Sequence, residues 1–372
     1  MLQARTTDAR EELKWQGMQM FTDYGVARDD PRMETVYSHY ENNLRDIIAT
    51  LEARGLRVIL SSVPVNLRHS APFLSVQDPD LSQAQRDEWR ELNREGSASF
   101  EQGDWQGAIG RFQAALALDP GYADHHFKLG TAFERLGQFD EARAHYEQAL
   151  DLDALRFRAD TRINGIIGEV AAGGDAQSLS YVDSAAAFAQ ASQPYQPGWN
   201  LLLEHVHYDF PGNYLLAEGL SLAIVEALGA ADAYTPLTES EVARRTGFPN
   251  HETIDVMKNL QGMIENPPFP GQSNYAELVS FVEGKIAEVT EEVGSPAEVI
   301  ERRQPVVNEQ LADWKVHYEL AELNRFLRKR QAMYNHLEQV FKLYPHNRES
   351  YMKMADQKGK DGQWSETIPY LQ

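Results

Sequence analysis

The chain has 372 residues, 42% of them hydrophobic, no cysteine and a formal charge of −21. At about 100 to 200 residues per domain this predicts two or three globular domains. The acidic excess argues against non-specific attachment to nucleic acid or anionic lipid, and the lack of cysteine excludes disulfides and thiolate catalysis while leaving the redox compartment open.

Along the chain, Met1 to Asp8 lacks the apolar core of a signal peptide, and no later apolar run approaches the roughly 20 residues that cross a bilayer. A soluble chain with a cytoplasmic location is expected. Asn43 to Arg54 places Leu44, Ile47, Ile48 and Leu51 on one helical face, and Gly55 stops the helix. Leu56 to Pro64 then reads as a buried strand, and a helix feeding a strand so directly suggests a wound α/β sheet. Asp80 to Arg94 is polar and reads as a helix.

Gly96, Gly103, Ala108, Phe112 and Ala115 recur 34 residues later as Gly130, Gly137, Ala142, Tyr146 and Ala149, with Pro120 closing the first copy. That period is the signature of the tetratricopeptide repeat, a hairpin of two helices. The small residues let the paired helices approach closely, and Phe112, Phe133 and Tyr146 fill the space between them. Two units are fewer than the three usually needed to stand alone. They are expected to lean on the surrounding domain or on a third helix pair from Leu155. The adjacent His125 and His126 read as one packed ring and one solvent-facing ring, with no ligand role.

Gln177 to Asp183 reads as a short strand. Tyr214 to Leu228 reads as a helix with Leu216, Leu220, Ala223, Ile224 and Ala227 facing inward. Beyond Gly229 the chain turns polar. Asn266-Pro-Pro-Phe-Pro-Gly reads as a rigid inter-domain turn rather than a polyproline ligand, and the acidic run Glu283 to Glu292 as a solvated helix face. Ala321 and Ala355 are again 34 apart, with Pro345 between them and Gly362 before Trp364. This reads as a degenerate second repeat block that stops in mid-pattern at Gln372, as if the chain were cut there. Trp314, Tyr318 and Phe326 read as core.

Val63-Pro-Val-Asn-Leu-Arg, Ala71-Pro-Phe, Leu155-Arg-Phe-Arg-Ala-Asp-Thr-Arg-Ile-Asn and Glu204-His-Val-His with Phe210-Pro-Gly-Asn-Tyr-Leu-Leu-Ala together resemble bacterial SGNH (GDSL-like) hydrolases that carry inserted and appended tetratricopeptide repeats. The resemblance implies a fragment of a flavodoxin-like three-layer α/β/α domain plus all-α repeats. Its divisions would be 1–90 (partial α/β segment), 91–155 (inserted repeats), 156–230 (α/β segment with Glu204 and His207), 231–310 (helical linker) and 311–372 (C-terminal repeats). It further implies ester or acyl hydrolysis with His207 as general base and Glu204 as its orienting acid. The family's Gly-Asp-Ser nucleophile block and its oxyanion blocks do not precede Leu44. The chain therefore resembles a fragment beginning after the nucleophile, or a relative that has lost it, and no serine-hydrolase turnover is expected of it.

Ser61 and Ser62, near the carboxyl end of the first strand, are substitute nucleophile candidates, but no tight glycine turn presents them. Were Glu204 to Asp209 extended, His205, His207 and Asp209 would point the same way and could hold zinc or iron. In a loop, Glu204 and His207 converge instead; a purely structural role is the third reading. Two functions from different classes stay open: an acyl hydrolase remnant with an ester or acylated substrate and no cofactor, and a non-catalytic scaffold whose repeats bind a protein partner.

Overall fold

The computed structural model describes residues 17–371. The readings attached to the extreme N-terminus and to Gln372 lie outside them. The chain divides into two compact units, 1–209 with 263–278, and 210–262 with 279–372.

In the first unit, α1 (Arg32–Glu52) leads to β1 (Val58–Ser61), and four helices follow: α2 (Gln83–Glu101), α3 (Trp105–Leu118), α4 (Ala123–Arg135) and α5 (Phe139–Leu152). Then come α6 (Thr161–Ala172), β2 (Leu179–Val182) and α7 (Ser184–Ala191). The helix starts are written locally. Ser82 and Gln85 form a reciprocal capping box, and Asp104, Asp160 and Asp183 each accept an amide of the first turn. Between helices, Gly103 and Gly137 turn the chain at φ 76° and 75°.

The core of α2 to α5 is built on close approach. A Cβ added at Gly96 would stand 2.8 Å from the Phe112 ring, and one at Gly130 would stand 2.7 Å from the Tyr146 ring. Phe112, Tyr146, Phe127, Leu129 and the alanines 108, 132, 142 and 149 make one buried cluster.

The expected three-layer α/β/α domain is not present. Among the described residues the sheet is a single parallel pair, β1 with β2, registered Val58 to Leu179 through Ser61 to Val182. Ile48 of α1 packs with Ile166 and Val170 of α6 and with Leu179. The helix-then-strand signal at 43–64 was local, whereas a layered sheet needs further strands beside it. β1 is also shorter than the expected strand and only half-buried. Leu56 is 49% exposed, and Pro64, with no N–H, cannot continue the ladder.

The second unit contains α8 (Phe210–Ala227), α9 (Glu239–Thr246), most of α10 (His251–Ile264), most of α11 (Tyr275–Val293), α12 (Pro296–Asn308), α13 (Trp314–Phe326), α14 (Arg330–Leu343), α15 (Arg348–Lys360) and the short α16 (Ile368–Leu371). Val289, Val293, Val299 and Leu323 form one cluster; Ala321, Met333, Leu337 and Met354 form another. Two expectations fail here. None of the five residues assigned to an inward face of the 214–228 helix is buried, because α8 is apolar on every side and no stripe selects a face. Phe326, read as core, is 73% exposed; Trp314 and Tyr318 are half-buried.

Candidate functional site

Glu204 and His207 sit on a tight turn, not a strand. The Leu203 amide donates to the His207 carbonyl at 2.8 Å, and the Leu202 and Tyr208 backbones bridge antiparallel on either side. The segment after β1 holds this turn. Asn66, fully buried, donates from Nδ2 to the Glu204 carbonyl at 2.8 Å and from its amide to the His205 carbonyl at 3.1 Å.

Inside the turn the Glu204 carboxylate, 1% exposed, folds back on its own backbone. It accepts the His205 amide at 2.7 Å and the His207 amide at 2.6 Å. Its Oε1 also meets His207 Nδ1 at 2.5 Å, while the His207 side chain is 68% exposed. An ionised carboxylate can only accept, so in this contact the proton of His207 sits on Nδ1.

His205 points the other way. Its ring packs edge-on against Phe73 and Phe269, and its Nδ1 lies against Glu204 Oε2. Burial first, then the charges of Arg158 and His207, push its pKa down to about 3, so it stays neutral. The three-residue metal arrangement is not assembled: among the described residues no group of three or more His, Asp or Glu side chains is placed to hold a metal ion. Of the 266–271 turn, Pro268 and Phe269 are buried, with Phe269 2% exposed against His205, while Asn266, Pro267, Pro270 and Gly271 are exposed.

Neither candidate serine reaches toward His207 in its hydrogen bonding. Ser61 Oγ pairs with Ser184 Oγ at 2.7 Å; Ser62 Oγ donates to Asp183 at 2.8 Å and accepts the Ala185 amide at 2.9 Å. Both finish the N-terminus of α7, a structural use.

Two features escaped the sequence reading. Arg158, fully buried with Asp153, pairs with it at 3.2 Å and donates to the Asn66 and Ser70 carbonyls at 2.9 and 2.8 Å. Asp153 in turn accepts the Phe73 and Leu74 amides at 3.0 and 3.1 Å. The pair therefore locks segment 66–74, which carries the catalytic candidates' support, to the end of α5. The signal was the alternation Arg156, Arg158 between Asp153 and Asp160. The second feature is the pairing of His126 with His145, Nδ1 to Nδ1 at 3.0 Å, where a solvent-facing ring was expected. His125 is the packed ring, bonded through Nε2 to Asn93 at 2.9 Å.

The repeat sequence has a counterpart among known families. Residues 93–156 match the tetratricopeptide repeat family. That stretch covers the end of α2 through α5, the hairpins whose small residues and aromatic rings interlock. No curated protein matches the chain. Among solved structures, the crystal structure of yeast Tom70 aligns at 13% identity over 75% of this chain and 60% of that one, with a TM-score of 0.20, a likeness too slight to argue from. The chain thus spans less than two thirds of that protein's length. No helix among the described residues is long and apolar enough to cross a membrane.

Proposed function

We propose that the chain is a protein-binding scaffold whose working parts are its helical repeats. The observation that supports this is the tetratricopeptide match at 93–156 on helices already packed through Gly96, Gly130, Phe112 and Tyr146. Stacked hairpins of this kind form extended surfaces suited to a protein partner. Photoreactive residues placed one at a time at exposed positions of α2 to α5 test the reading: adducts concentrated on one face support it, and none, or adducts scattered over all faces, overturns it.

A second reading rests on Glu204 and His207. A buried carboxylate behind an exposed imidazole is the base half of the acyl-transfer arrangement seen in SGNH hydrolases, and it would act on an ester or acylated substrate if a serine were brought to Nε2. The competing role is a turn cap, since the same carboxylate satisfies the 205 and 207 amides. A fluorophosphonate probe separates them. Serine labelling lost in His207→Ala and Glu204→Gln supports the base; Glu204→Gln that lowers stability in a chain that never labels leaves the cap.

A further inference from the structure

The second unit has a cleft of about 660 Å³, walled by the start of α10, by α13 and by the turn into α15. Its lining sets five carboxylates against two lysine ammonium groups. Aromatic rings share the walls: Trp314 and Tyr344 lie 4.9 Å apart, centroid to centroid, with Tyr344 40% exposed.

One part of the cleft already holds a cation of the chain's own. Lys353 Nζ stands 4.8 Å over the Tyr318 ring and lies 3.0 Å from Glu322 and 3.3 Å from Glu349. An ammonium on an aromatic face between two carboxylates is the way such a surface recognises a basic side chain. The cleft's other lysine, Lys315, stands 5.8 Å over the Trp314 ring, and the carboxylates of α10 have no such cation. Glu252 and Asp255, one turn apart on α10, are exposed and make no ion pair or side-chain hydrogen bond among the described residues.

We propose that this cleft binds an extended segment of a partner protein bearing lysine or arginine side chains, with Glu252 and Asp255 taking a basic group and the Trp314 and Tyr344 rings its aliphatic stem. The occupant follows from charge complementarity. A neutral or acidic segment would leave the free carboxylates facing apolar or like-charged groups, which costs binding energy, whereas a basic one completes the pattern that Lys353 begins. The proposal rests on the scaffold reading and names the class of its partner at the second block of helices.

The test is fluorescence anisotropy on the full chain with short labelled peptides of alternating lysine and alanine, glutamate and alanine, or serine and alanine. The lysine peptide is expected to bind and to weaken as salt is raised. The double variant Glu252→Lys with Asp255→Lys, and the milder Glu252→Gln with Asp255→Asn, should weaken it, the former by about tenfold or more, equivalent to about 1.4 kcal/mol. Glu301→Lys, exposed and outside the cleft lining, should change it little. Equal losses at Glu301 and in the cleft would mean diffuse attraction to an acidic chain and would overturn the proposal, as would equal binding of the serine or glutamate peptide. If no peptide binds while photocrosslinks at α2 to α5 persist, only the cleft assignment falls; if both are absent, the scaffold reading falls with it.

Discussion

The helices α4 with α5 and α13 with α14 solve one packing problem in two ways. Adding 191 to a residue number in the first hairpin gives its counterpart in the second: Gly130 becomes Ala321, Tyr146 becomes Leu337, Ala142 becomes Met333 and Phe133 becomes Asn324. In the first hairpin a bare glycine backbone receives an aromatic ring. In the second an alanine methyl faces a shorter aliphatic chain, and Met333 fills what Ala142 leaves to the ring. Different side chains fill the space between the paired helices in the two hairpins, as close-packed cores allow. What does not change is a histidine pair: His126 with His145, and His317 with His336, each Nδ1 to Nδ1 at 3.0 Å. Both hairpins also lie beside a buried arginine that holds loop carbonyls, Arg158 in the first unit and Arg303, on the Gly247 and Pro249 carbonyls, in the second.

The arginines give the largest expected difference. Arg158→Met leaves the buried Asp153 carboxylate with backbone amides but without its paired cation and should cost about 3–5 kcal/mol. Arg303→Met should cost less, because its partner Glu319, 3.5 Å away, keeps a second contact with His251 at 3.4 Å. Urea unfolding followed by hydrogen exchange on peptides of each unit measures both, and equal losses would remove the distinction.

Next is the packing contrast itself. Glycine to alanine inside a helix ordinarily gains about 1 kcal/mol. Gly130→Ala should instead lose about 1–3 kcal/mol, because its methyl would stand 2.7 Å from the Tyr146 ring. Ala321→Gly should lose about 1 kcal/mol by the ordinary rule. A stabilised Gly130→Ala would show that the first hairpin is looser than its geometry.

A smaller effect follows from the histidines. His126 Nε2 faces the Pro120 carbonyl at 3.3 Å, so its Nδ1 accepts from His145 Nδ1–H, and the pair has no room for a second proton between its rings. Burial, and then the neighbouring ring, push His145 and His336 down to about 4, while burial first lowers His126 and His317. The unfolded chain takes up these protons from about pH 6.5 downward while the folded chain resists. Their contribution to stability is therefore complete above about pH 6.5 and is lost as the pH falls toward about 4, with the half-exposed rings screened by water. His145→Gln and His336→Gln should each flatten the stability profile of its own unit over that window, and unchanged profiles would assign the acid sensitivity to carboxylates.

The smallest difference is in the turns. Gly137 makes its turn at φ 75°, whereas its counterpart Arg328 does so at φ 59° with a side chain that disfavours that region. Arg328→Gly should stabilise the second hairpin by about 0.5–1 kcal/mol in thermal unfolding.

The first repeat block was legible because its signals recur at a fixed spacing: a 34-residue period with small and aromatic residues at set places. Glu204 and His207 converged because they lie three residues apart on a turn. The sheet was misread because one helix and one strand do not state how many strands lie beside them. α8 was misread because a helix apolar on all sides names no buried face. Phe326, at helical spacing with Trp314, was read as core by a rule that cannot tell a packed stripe from an open one.

By itself the sequence determined the repeat register, the acidic balance and the local pairing of His207 with its carboxylate, since the first follows a strict period, the second is a count and the third lies within one turn. Only the tertiary structure decided that the sheet has two strands among the described residues, that Arg158 meets Asp153 beneath segment 66–74, that histidines 19 residues apart face each other across a hairpin, and that free carboxylates share a cleft with aromatic rings. These depend on loop closure and on which faces pack, and the order of residues along the chain does not record those choices locally.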